Sequence, residues 1–154
     1  MNNKLFFSSD LQTGRTPDDL YNILDNEFHF DFDPCPTFIS DHVDETCFGQ
    51  DDGLIISWKK SNYCNPPYNN QKAWVEKAYN ESLKNKICVM LLPARTDTKL
   101  FHDFIFKKAH EIRFIKGRLQ FGGYTNSAPF PSMIVIFKND ELRNMSQGIE
   151  NNNE

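Results

Sequence analysis

The chain has 154 residues, the length of one domain of ordinary size, and 39% of them are hydrophobic, enough for one core. Its four cysteines form no C-x-x-C pair and no signal-peptide segment is evident, so we expect reduced thiols in a cytoplasmic protein, not a disulfide framework. No apolar run is long enough to cross a bilayer and no histidine lies at zinc-ligand spacing from a cysteine, so we expect neither a membrane nor a metal partner.

The net charge of −4 is unevenly distributed along the chain. Residues 1–53 contain 12 acidic and 2 basic residues, whereas residues 84–118 contain 9 basic and 3 acidic residues. A protein with this asymmetry can bind a polyanion through one face while the other face stays acidic. The basic residues are equally consistent with a solvated helix surface, and composition leaves both interpretations open.

A helix is predicted directly after Thr16-Pro17. Threonine suits the N-cap, proline suits the first helical position, and the two aspartates that follow complement the positive end of the helix dipole. Residues 29–36 then alternate apolar and polar side chains, which predicts a strand that ends at Asp33. This strand occupies the place of the first strand of a nucleotide-binding α/β domain, although no G-x-G loop follows it.

Residues 64–68, Cys-Asn-Pro-Pro-Tyr, form the motif that says most about function. Two successive prolines exclude a helix interior and a central strand, so a short strand over 61–64 must end at Asn65. Because the prolines fix two φ angles, Asn65 and Tyr68 are held in a defined mutual geometry. An amide and a ring on such a loop suit a planar ligand that carries an amine. A plain turn after a strand is the structural alternative.

The second half of the chain predicts further α/β elements. An amphipathic helix is expected over 70–84, and the apolar run 87–93 is typical of a central parallel strand. Arg95 follows that strand, at the edge where open α/β sheets bind ligands, and a short helix with Leu100 comes next. Strands are predicted at 112–115 and 133–137. The loop between them contains glycines, prolines, bases and aromatic residues, a composition typical of a binding loop.

The motifs resemble, in this order, those of the phage-encoded Dam-like DNA N6-adenine methyltransferase family over residues 10–138. They are Thr16-Pro17 before a helix, Asp33-Pro34 at a strand end, the Asn65–Tyr68 motif, and Ala-Pro-Phe-Pro-Ser before the last strand. The resemblance implies an α/β, single-domain Rossmann-like fold, that of the S-adenosylmethionine-dependent methyltransferases. Its sheet would be mostly parallel with an antiparallel terminal hairpin. The domain would span residues 1–143, followed by a polar, disordered tail over 144–154.

The resemblance also implies a site for each substrate. In such enzymes the asparagine oxygen and the next carbonyl accept hydrogen bonds from the adenine amino group, and the ring after the prolines stacks on the base. The implied catalytic residues are Asn65, Pro66, Pro67 and Tyr68. The implied cofactor-binding residues are Thr16, Pro17, Asp33, Pro34, Cys35, Asp51, Asp52 and Asn65, and Asp44 and Glu45 are weaker candidates. The residues expected to contact DNA are Arg95, Lys116, Arg118, Phe121 and Phe130.

The predicted function is methyl transfer from S-adenosylmethionine to N6 of an adenine flipped out of DNA. Two alternatives remain open at this stage. One is methylation of another amine, in RNA or in a protein glutamine. The other is a non-catalytic methyltransferase-like module that binds a partner through its acidic face. For Asp51 and Asp52, a surface Asp-Gly turn is as consistent with the sequence as a cofactor contact. The oligomeric state is not determined by the sequence.

Overall fold

The computed structural model describes residues 14–36, 50–122 and 126–139, with the side chains of 50–52 left out. Over these residues the protein is α/β, with one open sheet of four strands in the order β1-β2-β4-β3. The helices are α1 (Asp18–Phe28), α2 (Gln50–Ile55) and α3 (Gln71–Ser82). The strands are β1 (Ser61–Cys64), β2 (Ile87–Pro93), β3 (Glu111–Phe114) and β4 (Ser132–Phe137). A 3-10 turn covers Tyr68–Asn70 and a π-helical turn covers Phe101–Ile105.

The sheet is mixed, so the expectation of a mostly parallel sheet is not confirmed. Among the four described strands the only parallel pair of neighbours is β1–β2, whereas β4 pairs antiparallel with both β2 and β3. The expected antiparallel pairing of the last two strands is present. The apolar run of β2 shows only that the strand is buried on both faces, which a central strand with one parallel and one antiparallel neighbour satisfies equally well.

A further parallel contact lies at the outer side of β1. Phe32 is paired with Asn62, the Asp31 N–H donates to the Ser61 carbonyl at 3.0 Å, and the Tyr63 N–H donates to the Phe32 carbonyl at 3.1 Å. The predicted first strand is therefore a short parallel segment beside β1. Because parallel segments end at the same edge of a sheet, the residues after Phe32 and after β1 lie together.

Each face of the sheet carries its own apolar cluster. Side chains alternate between faces along a strand, so Cys88 and Met90 belong to the first cluster, and Val89 and Leu91 belong to the second. The first cluster includes Trp74, Val75 and Ala78 of α3, and the second includes Tyr21 and Leu24 of α1. The predicted apolar face of α3 is thus confirmed in its centre, although Leu83 beyond its end is 49% exposed.

The helix starts differ in detail from their prediction. Thr16 does not cap α1: Pro17 holds the N-cap position with φ −55° and ψ 134°, and no side chain accepts from the first turn. The Thr16 hydroxyl has another partner, described below. At α3, Asn70 holds the N-cap position as expected, also without a side-chain cap hydrogen bond.

A buried ion cluster joins α3 to the start of β2. The Glu81 side chain is 1% exposed and pairs with Lys77 at 2.8 Å and with Lys86 at 2.5 Å. The Trp58 N–H also donates to Glu81, at 3.3 Å. Burial raises the pKa of Glu81, but the two lysines and this N–H outweigh burial and lower it to about 2. The carboxylate is therefore ionised and fully partnered at neutral pH.

Candidate active site

The candidate site lies at the carboxyl edge of β1, where its two predicted centres come together. Asn65 directly follows β1, because Pro66 and Pro67 cannot donate to a sheet ladder and so end the strand. Asp33 follows the segment that pairs with β1. Both side chains are nearly buried, with Asn65 5% and Asp33 8% exposed.

The Asn65 carboxamide is held by two acceptors from the segment before α1. Its Nδ2 donates to the Gly14 carbonyl at 2.8 Å and to Thr16 Oγ1 at 3.4 Å. A carbonyl oxygen can only accept, so the NH2 group must face Gly14 and Oδ1 must face the opposite way. Within residues 14–36, 50–122 and 126–139, Oδ1 accepts no hydrogen bond. The arrangement leaves an oriented acceptor for an N–H donor.

Behind Asn65, the Thr16 hydroxyl lies 2.5 Å from the hydroxyl of Tyr63. Tyr63 is 2% exposed, and burial raises the pKa of its phenol well above the usual value, although the bond to Thr16 acts in the other direction. The tyrosine is therefore neutral and can donate or accept. Its ring packs edge-on against Tyr21, with centroids 5.2 Å apart.

Asp33 is a buried carboxyl group. The Cys35 N–H donates to its Oδ1 at 3.0 Å, and no lysine or arginine of the described segments contacts it. Burial raises its pKa to about 7, and the Cys35 N–H only partly offsets this. A buried carboxyl group without a cationic partner suits a ligand that brings its own positive charge. The side chain of Cys35 lies in the first apolar cluster, so its backbone N–H, not its thiol, serves the site.

Helix α2 supports the loop that follows Asp33 through Gly53. A Cβ atom at residue 53 would lie 2.0 Å from the Pro34 carbonyl oxygen and 2.7 Å from a ring carbon of Trp74. The Trp58 indole N–H donates to the Gly53 carbonyl at 2.7 Å and fixes the helix there. A surface Asp-Gly turn at this point is thus wrong, since Gly53 is buried within a helix.

The structure describes the backbone of only two of the four acidic residues predicted to bind the cofactor. Asp51 and Asp52 lie on the first turns of α2, and their side chains fall outside the described part of the chain. Asp44 and Glu45 also lie outside the described residues. A role for any of these four in cofactor binding stays a prediction.

Three of the predicted ligand residues meet beside the proline motif. The rings of Tyr68 and Phe130 pack edge-to-face, with centroids 5.0 Å apart at 84°. The Arg95 guanidinium lies 5.6 Å from the centroid of Phe130. Tyr68 follows β1, Arg95 follows β2 and Phe130 precedes β4. The strand order therefore brings three distant segments of the chain to one edge of the sheet. An aromatic pair with a cation beside it can receive a nucleobase and its phosphate.

The other predicted DNA contacts separate into surface and core. Lys116 and Arg118 are exposed on either side of Gly117, whose φ of 77° makes the turn. Phe121, in contrast, is 6% exposed and its ring belongs to the second apolar cluster. Its expected position as an exposed wall of a base pocket is not what the structure shows, because the neighbouring Gly122 pairs with the backbone of Arg15 and turns the ring inward.

Sequence reasoning missed three residues of the site. Gly14 contributes only its carbonyl, and Gly122 only its backbone pairing with Arg15, so neither leaves a signal in side-chain chemistry. Tyr63 could have been found, because a residue two positions before Asn65 on a strand lies on the same face.

The described residues contain neither a metal-binding cluster nor a membrane-spanning helix. No group of three or more histidine, cysteine, aspartate or glutamate side chains there is arranged to hold a metal ion. No helix in those same segments is long and apolar enough to cross a membrane.

Comparison with known proteins places the chain in a family. The family described as DNA N-6-adenine-methyltransferase (Dam) matches residues 8–154, which include the asparagine motif and the segments packed around it. The chain is similar to the DNA N-6-adenine-methyltransferase of Haemophilus phage HP1 (strain HP1c1). The two are 32% identical over 141 residues, covering 84% of this chain and 80% of that protein. The chain belongs to the DNA N-6-adenine-methyltransferase (Dam) family.

Proposed function

We propose that the protein transfers a methyl group from S-adenosylmethionine to N6 of an adenine flipped out of DNA. The observation that carries this proposal is the Asn65 carboxamide, whose NH2 group donates to Gly14 and Thr16 while Oδ1 accepts no hydrogen bond from the described residues. Membership of the Dam family supports the same substrate and reaction.

The residues around Asp33 fit the methyl donor. Asp33 is buried without a cationic partner among the described residues, which suits the ammonium group of S-adenosylmethionine. Pro17, Pro34 and Cys35 lie beside it or beside Asn65 and would line the same pocket, with Asp51 and Asp52 as candidates on α2. The Thr16 hydroxyl, predicted to contact the cofactor, is instead engaged by Asn65 and Tyr63. When bound, this cofactor supplies an electrophilic methyl group on a sulfonium.

Asn65 and the Pro66 carbonyl activate the adenine amine by accepting its two N–H bonds. The lone pair of this amine is delocalised into the ring, so it attacks poorly until the nitrogen becomes pyramidal. Two fixed acceptors hold the protons so that the lone pair points out of the ring plane. They also place negative dipoles where positive charge grows on nitrogen. Pro66 and Pro67 keep the two oxygens in place. The proton can leave after transfer, so no general base is required.

Tyr68, Phe130 and Arg95 form the other wall of the site. A base extruded from the duplex loses stacking and pairing worth a few kcal/mol, and stacking on Tyr68 offsets part of this loss. Arg95 lies where it can contact a phosphate, and exposed Lys116 and Arg118 extend the basic surface. We assign the domain, residues 1–143, to the Rossmann-like methyltransferase class because ligands would enter at the carboxyl edge of the parallel segments. With DNA as its substrate, we place the protein in the cytoplasm of a bacterial or phage-infected cell.

The test compares wild type with Asn65→Ala in a radiolabelled-methyl assay on unmethylated DNA, beside calorimetric titration with S-adenosylmethionine. We expect Asn65→Ala to lower methyl transfer by about a hundredfold or more while cofactor binding persists. Asn80→Ala, which alters an exposed asparagine on α3, is the matched control and should leave transfer unchanged. Digestion of the product and identification of the modified base establish N6 of adenine as the acceptor.

Two results would replace this proposal by an alternative. Transfer to RNA or to a protein glutamine, and none to DNA, would identify another amine acceptor. Absence of heat on cofactor titration of the wild type would indicate a non-catalytic module. Loss of cofactor binding together with loss of folding in Asn65→Ala would give Asn65 a structural role instead.

A further inference from the structure

We propose that Thr16 and Tyr63 are positioning residues that set the orientation of the Asn65 carboxamide. Tyr63 fixes the Thr16 hydroxyl, and Thr16 in turn accepts from Asn65. The inference rests on the proposed function, because it concerns how Asn65 presents Oδ1 to the substrate amine.

The carboxamide requires such support because its own torsion does not fix it. The χ2 angle of asparagine is broad and nearly two-fold, so a rotamer preference alone leaves the direction of Oδ1 undetermined. The Gly14 carbonyl restrains one N–H of Asn65 at 2.8 Å. The second N–H reaches Thr16 Oγ1 at 3.4 Å, a longer contact that depends on where the threonine oxygen is held.

Tyr63 provides that restraint on Thr16. Its hydroxyl lies 2.5 Å from Thr16 Oγ1, and Thr16 is its only hydrogen-bond partner among the described residues. Thr16 is 5% and Tyr63 2% exposed, so water cannot readily replace either partner. A free threonine hydroxyl rotates among staggered positions, and the bond to Tyr63 selects the one that faces Asn65.

Strand geometry explains why a tyrosine can act here. Tyr63 and Asn65 are two residues apart, so both side chains lie on the face of the sheet that α1 covers. Thr16 lies just before α1 and meets both of them. The tyrosine ring is held independently by Tyr21 at 5.2 Å and Phe30 at 5.3 Å between centroids. Replacing Tyr63 by phenylalanine therefore removes the hydroxyl and keeps the packing.

The experiment measures steady-state kinetics of Tyr63→Phe, Thr16→Val and Thr16→Ser with the full chain on unmethylated DNA. We expect Tyr63→Phe and Thr16→Val to lower kcat about tenfold, which is the loss of one buried hydrogen bond in the transition state. The KM for DNA and the Kd for S-adenosylmethionine should stay within about twofold. Thr16→Ser should restore most of kcat, because it restores the hydroxyl. Tyr79→Phe, on α3 and packed against Phe137 on the opposite face of the sheet, is the matched control and should behave as wild type.

A second readout does not depend on catalysis. In an amide NMR spectrum, the side-chain NH2 of Asn65 should be protected from exchange in the wild type and exchange faster in Tyr63→Phe. Unchanged kcat and unchanged protection in Tyr63→Phe overturn the proposal. An increase in cofactor Kd at constant kcat for Thr16→Val also overturns it and makes Thr16 a cofactor contact. If Tyr63→Phe fails to fold, the comparison of Thr16→Val with Thr16→Ser decides by the same criteria. A wild type that methylates no DNA refutes the proposed function, whereas the NMR result still tests the positioning.

Discussion

Replacing Asp33 by asparagine tests the buried carboxyl group of the candidate cofactor site. Asparagine has the same shape and keeps an oxygen that can accept from the Cys35 N–H, so the change removes chiefly the ionisable group. The pKa of Asp33 is raised from its ordinary value of 3.8 to about 7, with burial as the main cause. At about 1.4 kcal/mol per pKa unit, this shift corresponds to about 4 kcal/mol.

The direction of the pH dependence of stability follows from whether the folded or the unfolded protein binds the Asp33 proton more tightly. Between pH 4 and pH 7 the folded protein keeps Asp33 protonated, whereas the unfolded chain releases the proton. The contribution of Asp33 to stability is therefore fully present below pH 4 and is lost as the pH rises through 7. The asparagine that replaces it cannot ionise. The free energy of unfolding of Asp33→Asn, relative to that of the wild type, should therefore rise by about 4 kcal/mol between pH 4 and pH 8.

Urea unfolding of both proteins at pH 4 and at pH 8 measures this difference, and carboxyl groups common to both cancel. Asp97→Asn, on an exposed loop, is the control and should show no such change. A constant stability difference between Asp33→Asn and wild type across this range would refute the reasoning. Calorimetry tests the functional side. A ligand ammonium favours the ionised carboxylate, so the affinity of the wild type for S-adenosylmethionine should rise through pH 7, and Asp33→Asn should lose this rise.

The remaining predictions concern the core, the supporting helix and the base pocket. Glu81→Gln should destabilise the protein by about 3–5 kcal/mol in urea unfolding at pH 7, because two partly buried lysines lose the carboxylate that pairs with them. Glu76→Gln, in an exposed pair, should cost less than about 1 kcal/mol. Acid should remove the Glu81 contribution as the pH falls from 4.5 to about 2, and a flat profile there would contradict the ion cluster. Gly53→Ala should destabilise by about 1–3 kcal/mol and weaken cofactor binding by moving the Pro34 loop; unchanged unfolding and titration would show that the contact relaxes freely. Tyr68→Ala should weaken binding of DNA with 2-aminopurine at the target position about ten- to hundredfold, whereas Tyr68→Phe should not, and equal loss in both would argue against stacking.

The position of the candidate site could be predicted because covalent constraints are local. Pro66 and Pro67 end a strand whatever the rest of the fold does, so Asn65 had to lie at a strand end. Asp33 followed in the same way from an alternating strand before a turn. The long apolar run of β2 predicted a strand in the interior of the sheet, because a strand that is apolar on both faces must be covered on both faces.

The features that were missed depend on contacts between distant parts of the chain. The cap predicted at Thr16 was wrong because its hydroxyl bonds to Tyr63, a partner that no local pattern reveals. The position of β4 between β2 and β3, antiparallel to both, was not predicted because it depends on which strands β4 joins, not on its composition. A surface turn at Gly53 stayed open as an alternative because an Asp-Asp-Gly stretch gives no sign that the Pro34 carbonyl lies against the glycine. Phe121 was expected at the surface because its loop is polar, yet its ring fills the second cluster.

The pairing of Arg15 with Gly122 has a consequence for the timing of activity during synthesis. The ribosome releases the proline motif early, but the segment that steadies Gly14 and Thr16 against it is made much later. Domains fold as units once their sequence has emerged. We therefore expect a growing chain to carry its asparagine unoriented until residue 122 has left the exit tunnel. A half-made protein would then lack the oriented acceptor that the proposed methyl transfer requires.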